Sequence, residues 1–467
     1  MLAEIRTKHL SLVRVFLVAG VLLLSAYVAR GPSLNYLLLL PASGSIYLFL
    51  RWPPLGLVAL IAASLFIDFS VGAQLNITIL LLALLCALWF LDTIVNQRSL
   101  DGLRSRSALP LIGLSVAVLI SFGNGQLPWF HFAQRAPIDA QAAGVMTFLL
   151  SAGMFLLVAQ QIKDLRWLSW MTLSFLVLGG LILSASVFPT WGSILFRYLP
   201  SGAAGSLLFC WLAAVACSQA LLNTKLSIGA RLLLGGIVAC VFYSSFFKGR
   251  SWASGWIPAA IAMSVIIFVG KPRLRLLLIL LGGAFFLIKF QGFVDGILNE
   301  NQYSFVTRVE AWRILIEIVK VSPVLGLGPA NYYYYTPLFS ILGFYTRFNS
   351  HNNFVDIVAQ TGLLGLVMFL WFAFEIGRLG WQLREKATEG FAYAYVIGCL
   401  GGLMGTLAAG MLGDWFLPFV YNVGLGGLRA SLLGWMFLGG LVALGNILSQ
   451  SKSQSISGSM ATGSSQR

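Results

Sequence analysis

Residues 291–353 read QGFVDGILNENQYSFVTRVEAWRILIEIVKVSPVLGLGPANYYYYTPLFSILGFYTRFNSHNN. They are the one long polar interruption in a chain that is otherwise almost wholly apolar. Apolar stretches at 274–290 and 354–375 flank them. The segment carries Arg308, Arg313, Lys320, Arg347 and His351, four consecutive tyrosines from Tyr332 to Tyr335, and a turn at Pro323, Gly326 and Gly328. Long loops in compact proteins are functional or disordered, and this one is too aromatic for disorder. The remaining chain therefore reads as a membrane scaffold that presents it.

Composition sets the class. Of 467 residues, 58% are hydrophobic and 10% charged, against about 25% charged in soluble chains. The fold class is all-α: a polytopic integral membrane protein with about 12–14 transmembrane helices, from the length that a bilayer demands, and one large helical periplasmic loop. Candidate spans lie at 13–30, 34–50, 53–69, 75–95, 108–122, 142–162, 167–188, 203–222, 229–247, 253–269, 274–290, 354–375, 391–411 and 428–448. The chain divides into an N-terminal transmembrane region (1–290), the loop (291–353), a C-terminal transmembrane region (354–448) and a Ser/Gly-rich tail (449–467) expected to be disordered. The first apolar segment is longer than a typical signal core. Tyr27 occupies the position where a cleavage site wants a small residue, so this segment is expected to stay as a span. All five cysteines fall inside candidate spans and indicate neither a disulfide framework nor a metal site.

Lysine and arginine then set orientation. With the N-terminus inside, the cytoplasmic connections hold Arg6/Lys8, Arg51, Arg98/Arg104/Arg106, Lys163/Arg166, Lys225/Arg231, Lys271/Arg273/Arg275 and Arg378/Arg384/Lys386. This alternation puts 291–353 outside the cytoplasm and both termini inside it. The net charge of +15 is then a topology signal and requires no nucleic acid. Asp68, Asp92, Glu375 and Arg14 sit near span ends, and span centres are almost free of charge. Ion and substrate pathways through a membrane usually need mid-span charges, so a proton-coupled transporter is disfavoured.

Within the loop, Phe305 to Val321 reads as a helix on or near the membrane surface. Glu310, Arg313, Glu317 and Lys320 recur at three or four residues and form a solvated ion-pair ladder. Arg308 has Ala311 and Trp312 at those intervals and no carboxylate on its own face. It either snorkels at the interface or meets an anion from outside the helix, and a phosphate or pyrophosphate suits the guanidinium fork. Lys248 and Arg250 break the sidedness rule, which implies a local use or a lipid-headgroup contact. His351, in AsnSerHisAsnAsn (349–353), is read at a helix start, where the dipole disfavours imidazolium. A neutral imidazole can serve as a general base, or the residue is structural. The tyrosines either anchor the loop in the interface or stack on sugar rings.

Together these pieces resemble a known family. ThrArgValGluAlaTrp (307–312), ProValLeuGlyLeuGlyProAlaAsn (323–331), SerHisAsnAsnPhe (350–354) and GlnThrGlyLeuLeuGly (360–365), with GlyArgSerTrpAlaSerGlyTrp (249–256) upstream, are similar to motifs of the O-antigen ligase and polymerase superfamily of bacterial envelope glycosyltransferases. The resemblance implies an undecaprenyl-pyrophosphate-linked glycan donor and transfer to an acceptor hydroxyl at the periplasmic face. The acceptor would be lipid A-core or a growing polysaccharide. Mapped onto this chain, the family's two arginines are Arg250 and Arg308 and its histidine is His351. These three are assigned as catalytic, and Arg250, Arg308, Arg347, Asn352, Trp312 and Tyr332 as substrate-binding. Transfer is expected to need neither metal nor cofactor, because the outside loops hold only scattered carboxylates, Asp414 among them. The alternative class is an exporter or flippase of an envelope lipid or polysaccharide, which would place polar sites near the bilayer midplane.

Overall fold

The computed structural model describes residues 39–67, 70–71, 75–95, 105–199, 204–249 and 252–463. The expected first span, and with it Arg6, Lys8, Arg14, Asp68, Arg98, Arg104 and Arg250, lies outside the described residues.

The helices in chain order are α1 (Leu39–Arg51), α2 (Pro53–Phe66), α3 (Ile77–Val95), α4 (Ala108–Asn124), α5 (Ile138–Gln161), α6 (Leu165–Val187), α7 (Pro189–Tyr198), α8 (Ser206–Leu222), α9 (Ile228–Phe242), α10 (Ala253–Gly270), α11 (Arg275–Val319), α12 (Tyr332–Tyr335), α13 (Asn353–Lys386), α14 (Gly390–Leu412) and α15 (Leu428–Gly463). Among the described residues the strands are a two-residue antiparallel pair, Ser70–Val71 with Leu75–Asn76. Among the described residues eight helices are long and apolar enough to cross a membrane, and α2, α4 and α8 are shorter apolar helices. The chain is an all-α, multi-pass membrane protein.

Sequence cues account for many of the boundaries. Proline stands at the start of α2 and α7, where its missing N–H is not needed. Asp164 and Ser227 cap α6 and α9 through side-chain oxygens. The most extensive packing is among α8, α10 and α14 and between α5 and α15. Helices in a membrane gain little from hydrophobic burial against each other, so close backbone approach and polar contacts matter more. Gly401 and Gly405 of α14 supply that approach: a Cβ at either would stand 2.6 Å from a carbonyl of α10. Trp211 of α8 stacks on Phe437 of α15 at 5.2 Å and donates to Thr406 of α14 at 3.1 Å.

The structure departs from the sequence reading in three places. The span expected at 274–290 and the helix expected at 305–321 are one continuous helix, α11. No proline interrupts 276–319, and extending an existing helix costs far less than nucleating a second one. Helix α15 likewise carries on through Gly463, where composition suggested a tail without structure. Helix α7, between two expected spans, was not anticipated.

The loop after α11 is clamped from both sides. Asn331 donates to the carbonyls of Gly125 and Leu327 and accepts the Ala136 N–H. Asn124 donates to Ser322 and Gly326, and Ser121 to Leu325. The ProValLeuGlyLeuGly turn also enters α13. Leu363 and Leu364 donate to Pro323 and Val324, while Leu327 and Gly328 donate to Ala359 and Gln360. The helix breaks there at Gly362, with φ +68° and ψ −171°. A Cβ at that position would meet the Val324 carbonyl oxygen at 2.1 Å. Gly362→Ala is therefore expected to lower stability by at least about 1–3 kcal/mol, the usual scale of a left-handed strain. A thermal-unfolding scan in detergent would check this, and an unchanged midpoint would contradict it.

Loop contacts sort into two ends of the bundle. The α4–α5 loop, the 320–352 loop and the α14–α15 loop meet at one end. At the other, Lys225 of the α8–α9 loop pairs with Glu389 of the α13–α14 loop at 2.6 Å.

Candidate functional site

The site forms where α11, the start of α13 and the α14–α15 loop converge. Arg308 lies on α11, half-buried. Its Nη1 donates to the Leu412 carbonyl at 3.1 Å, at the C-terminus of α14. Its Nε is buried and makes no hydrogen bond. Trp312, one turn on and so on the same face, donates from Nε1 to the Ser350 carbonyl at 2.7 Å. One face of α11 thus carries a partly unsatisfied guanidinium and a clamp on the segment that presents His351.

The residues around His351 divide the structural work. Asn352 is the N-cap of α13, its Oδ1 accepting from Phe354 at 2.9 Å and Val355 at 3.4 Å. Asn353 is buried and docks the α14–α15 loop: it accepts from Phe416 N at 2.8 Å and donates to Leu417 O at 2.7 Å. His351 therefore stands before the cap, outside the first helical turn where the sequence had put it. Its φ of +48° is the left-handed conformation, uncommon outside glycine but tolerated by histidine.

The docked loop brings Asp414 and Asn422 to the site. Asp414 is buried, accepts Phe419 N at Oδ2 (2.9 Å), and accepts the Asn422 amide at Oδ1 (2.6 Å). The same Asn422 nitrogen lies 3.3 Å from His351 Nδ1. Burial pushes the Asp414 carboxyl up from its ordinary pKa, opposed by the N–H groups of Phe419 and Asn422, its own backbone N–H and the nearby His351. Burial lowers the His351 pKa below its ordinary 6.5, the Arg308 charge lowers it further, and Asp414 opposes both. Burial also lowers the Arg308 pKa, opposed by Asp414. Guanidinium keeps its charge under such shifts. Arg308, His351 and Asp414 thus form one electrostatic unit drawn from three chain segments.

Other expected site residues fall differently. Tyr332 is fully buried, stacks on Phe419 at 4.7 Å, and hydrogen-bonds through its hydroxyl to Asp356, which Ser350 Oγ also contacts at 2.7 Å. Its ring offers no free face to a sugar. Tyr333 and Tyr334 are half-buried and stand beside Tyr421. Exposed Arg347 lies over the Tyr334 ring at 4.0 Å. Asn352 commits its oxygen to the helix cap. Arg250 lies outside the described residues, but Trp252 packs on Trp415, the neighbour of Asp414, at 5.7 Å. Lys248 donates to the Ser186 carbonyl at the C-terminal end of α6 (2.8 Å), a placement that the helix dipole favours. The ion-pair ladder appears as two separate pairs, Glu310–Arg313 at 4.0 Å and Glu317–Lys320 at 2.7 Å.

Residues 199–370 match the O-antigen ligase family model. The match supports the O-antigen ligase/polymerase superfamily and, in general terms, a ligase-like membrane glycosyltransferase. It takes in Arg250, Arg308 and His351 and stops before Asp414 and Asn422. A comparison with curated proteins finds no match. The sequence reading passed over both later residues. Asp414 was counted among scattered carboxylates, and the tertiary docking of its loop, by Asn353 among other contacts, puts it beside a histidine of the ligase-like segment. A GlyAsp pair directly after a span was the signal available.

Proposed function

We propose that the protein transfers a glycan from an undecaprenyl-pyrophosphate carrier to an acceptor hydroxyl at the periplasmic face of a bacterial inner membrane. The acceptor is lipid A-core or a growing polysaccharide. The observation that carries this reading is Arg308, a half-buried guanidinium with an unsatisfied N–H, set beside His351 and backed by Asp414. A lipid pyrophosphate supplies the anion that such a group lacks. In the reaction the bond from the anomeric carbon to the pyrophosphate oxygen breaks, and its electron pair stays on that oxygen. The acceptor oxygen makes the new bond to carbon, and its proton is balanced on the released pyrophosphate. Arg308 stabilises the charge that develops on the leaving group, and in a single displacement the anomeric configuration inverts. Arg250 joins the proposal through its motif alone. No metal enters the proposed reaction.

Sidedness rests on the alternation of cationic connections. The two ends of the bundle support it: Lys225 lies at the end opposite the site, as the alternation requires. The decisive measurement uses the purified protein in detergent with one defined undecaprenyl-pyrophosphate-linked glycan. Lipid A-core or a second donor molecule serves as acceptor, and the product is read by mass spectrometry. The expected result is a joined glycan without any transmembrane gradient. No joined product, together with movement of the lipid-linked glycan across proteoliposomes, would favour an exporter instead.

A further inference from the structure

Asp414, Asn422 and His351 form a chain of hydrogen bonds whose directions are fixed from one end. Both Asp414 oxygens face N–H groups, Oδ2 that of Phe419 and Oδ1 that of Asn422. Donated N–H groups hydrogen-bond the charged form of a carboxyl and favour it, here against the burial that raises its pKa, so Asp414 is taken as the carboxylate. The carboxylate then orients the Asn422 amide. Turned over, that amide would set its carbonyl oxygen 2.6 Å from a carboxylate oxygen, which is repulsive. The amide nitrogen therefore stays toward Asp414, and its second N–H points at His351 Nδ1, 3.3 Å away. An N–H is answered only by a lone pair, so Nδ1 is unprotonated and the neutral ring carries its proton on Nε2.

We propose that Asp414 and Asn422 hold His351 as the neutral Nε2–H tautomer, and that this N–H donates, beside Arg308, to the pyrophosphate of the lipid-linked donor. The proposal rests on the glycan-transfer reading for the identity of the anion. It changes the part that the sequence suggested for His351. A ring with its proton on Nε2 and its Nδ1 lone pair already engaged has no free lone pair for a hydroxyl proton. It is a hydrogen-bond donor, and a neutral imidazole in that role polarises an oxygen on which charge develops. Burial and the Arg308 charge keep the ring neutral, which suits the role. Asn422 and Asp414 act through His351 and are positioning residues. The N–H that Asn422 gives to Nδ1 also draws electron density from the ring and strengthens the Nε2–H donor.

The experiment has two arms on the full-length purified protein. In the first, His9→Gln and His131→Gln leave His351 as the single histidine of the three, and its ring nitrogens are labelled with ¹⁵N. The expected spectrum shows a protonated Nε2 and an unprotonated Nδ1, and Asn422→Leu redistributes the proton between them. In the second, farnesyl pyrophosphate is the lipid-pyrophosphate probe. His351→Ala should weaken its binding roughly 10- to 100-fold, the scale of one hydrogen bond to a charged group. Asn422→Leu should weaken it less but measurably. A proton on Nδ1 in the otherwise native protein would overturn the proposal and return His351 to the base role. Unchanged probe binding in both variants would also overturn it. If both arms give the expected results and no glycan is joined in the transfer assay, the tautomer and the anion site stand and the transfer reading falls.

Discussion

Arg308→Ala is expected to cut glycan transfer by at least about 10²- to 10³-fold, the scale on which losing one preorganised donor slows a reaction. Three features of the residue set that size. It is half-buried, so its charge acts through a medium that screens less than water. One N–H goes to the Leu412 carbonyl and fixes the side chain, while Nε is left for a ligand. Three and four residues further along the helix stand Ala311 and Trp312, not a carboxylate that would compete for the fork. Arg308→Lys should recover little, because an ammonium is a point charge without the planar pair of donors. Arg313 is the control on the same helix. Its side chain is 79% exposed, and its partner Glu310 stands at 4.0 Å, a pair worth at most about 0.3–0.5 kcal/mol. Arg313→Ala should leave transfer nearly unchanged. Initial rates of the purified variants, normalised to protein level, decide the matter. Full activity of Arg308→Ala would remove it from the reaction, and equal losses at 308 and 313 would mean that another face of α11 meets the donor.

His351→Ala should cost about 10²- to 10³-fold in transfer, again the scale of one donor to developing charge. Alanine at a left-handed backbone position also adds strain, so the variant needs a companion. His351→Asn keeps a residue type that tolerates this conformation while removing the imidazole. A loss shared by both variants belongs to the ring, and a loss confined to alanine belongs to the backbone. The pH dependence carries a sign. The folded-state pKa of His351 lies below 6.5 because burial and Arg308 disfavour the charged ring more than Asp414 favours it. The ring is neutral at pH 7, and any limb of the rate profile that belongs to it should fall below pH 6.5. The same limb should be missing from His351→Asn. A limb centred above pH 7 that vanishes with His351 would contradict this environment.

The sequence by itself determined the architecture and pointed to half of the candidate site. Runs of apolar residues at bilayer length fix where helices form, because a backbone in hydrocarbon must bond to itself. The expected spans from 53–69 to 391–411 accordingly coincide with helices to within a few residues, apart from the merger in α11 and the lengthening of α13 to Lys386. Arg308 and His351 were legible because both sit in one polar stretch, in motifs similar to a family whose model matches residues 199–370. Their companions were not. Asp414 and Asn422 reach His351 through long-range contacts, such as Asn353 binding the backbone of Phe416 and Leu417 across more than sixty residues of chain and Tyr332 stacking on Phe419, and no local pattern records such contacts. Burial was equally hidden: in TyrTyrTyrTyr (332–335) the first and last rings are buried and the middle two half-buried. Residue type fixes what a side chain can donate or accept. Packing alone decides which atoms it meets and so, at His351, which nitrogen keeps the proton.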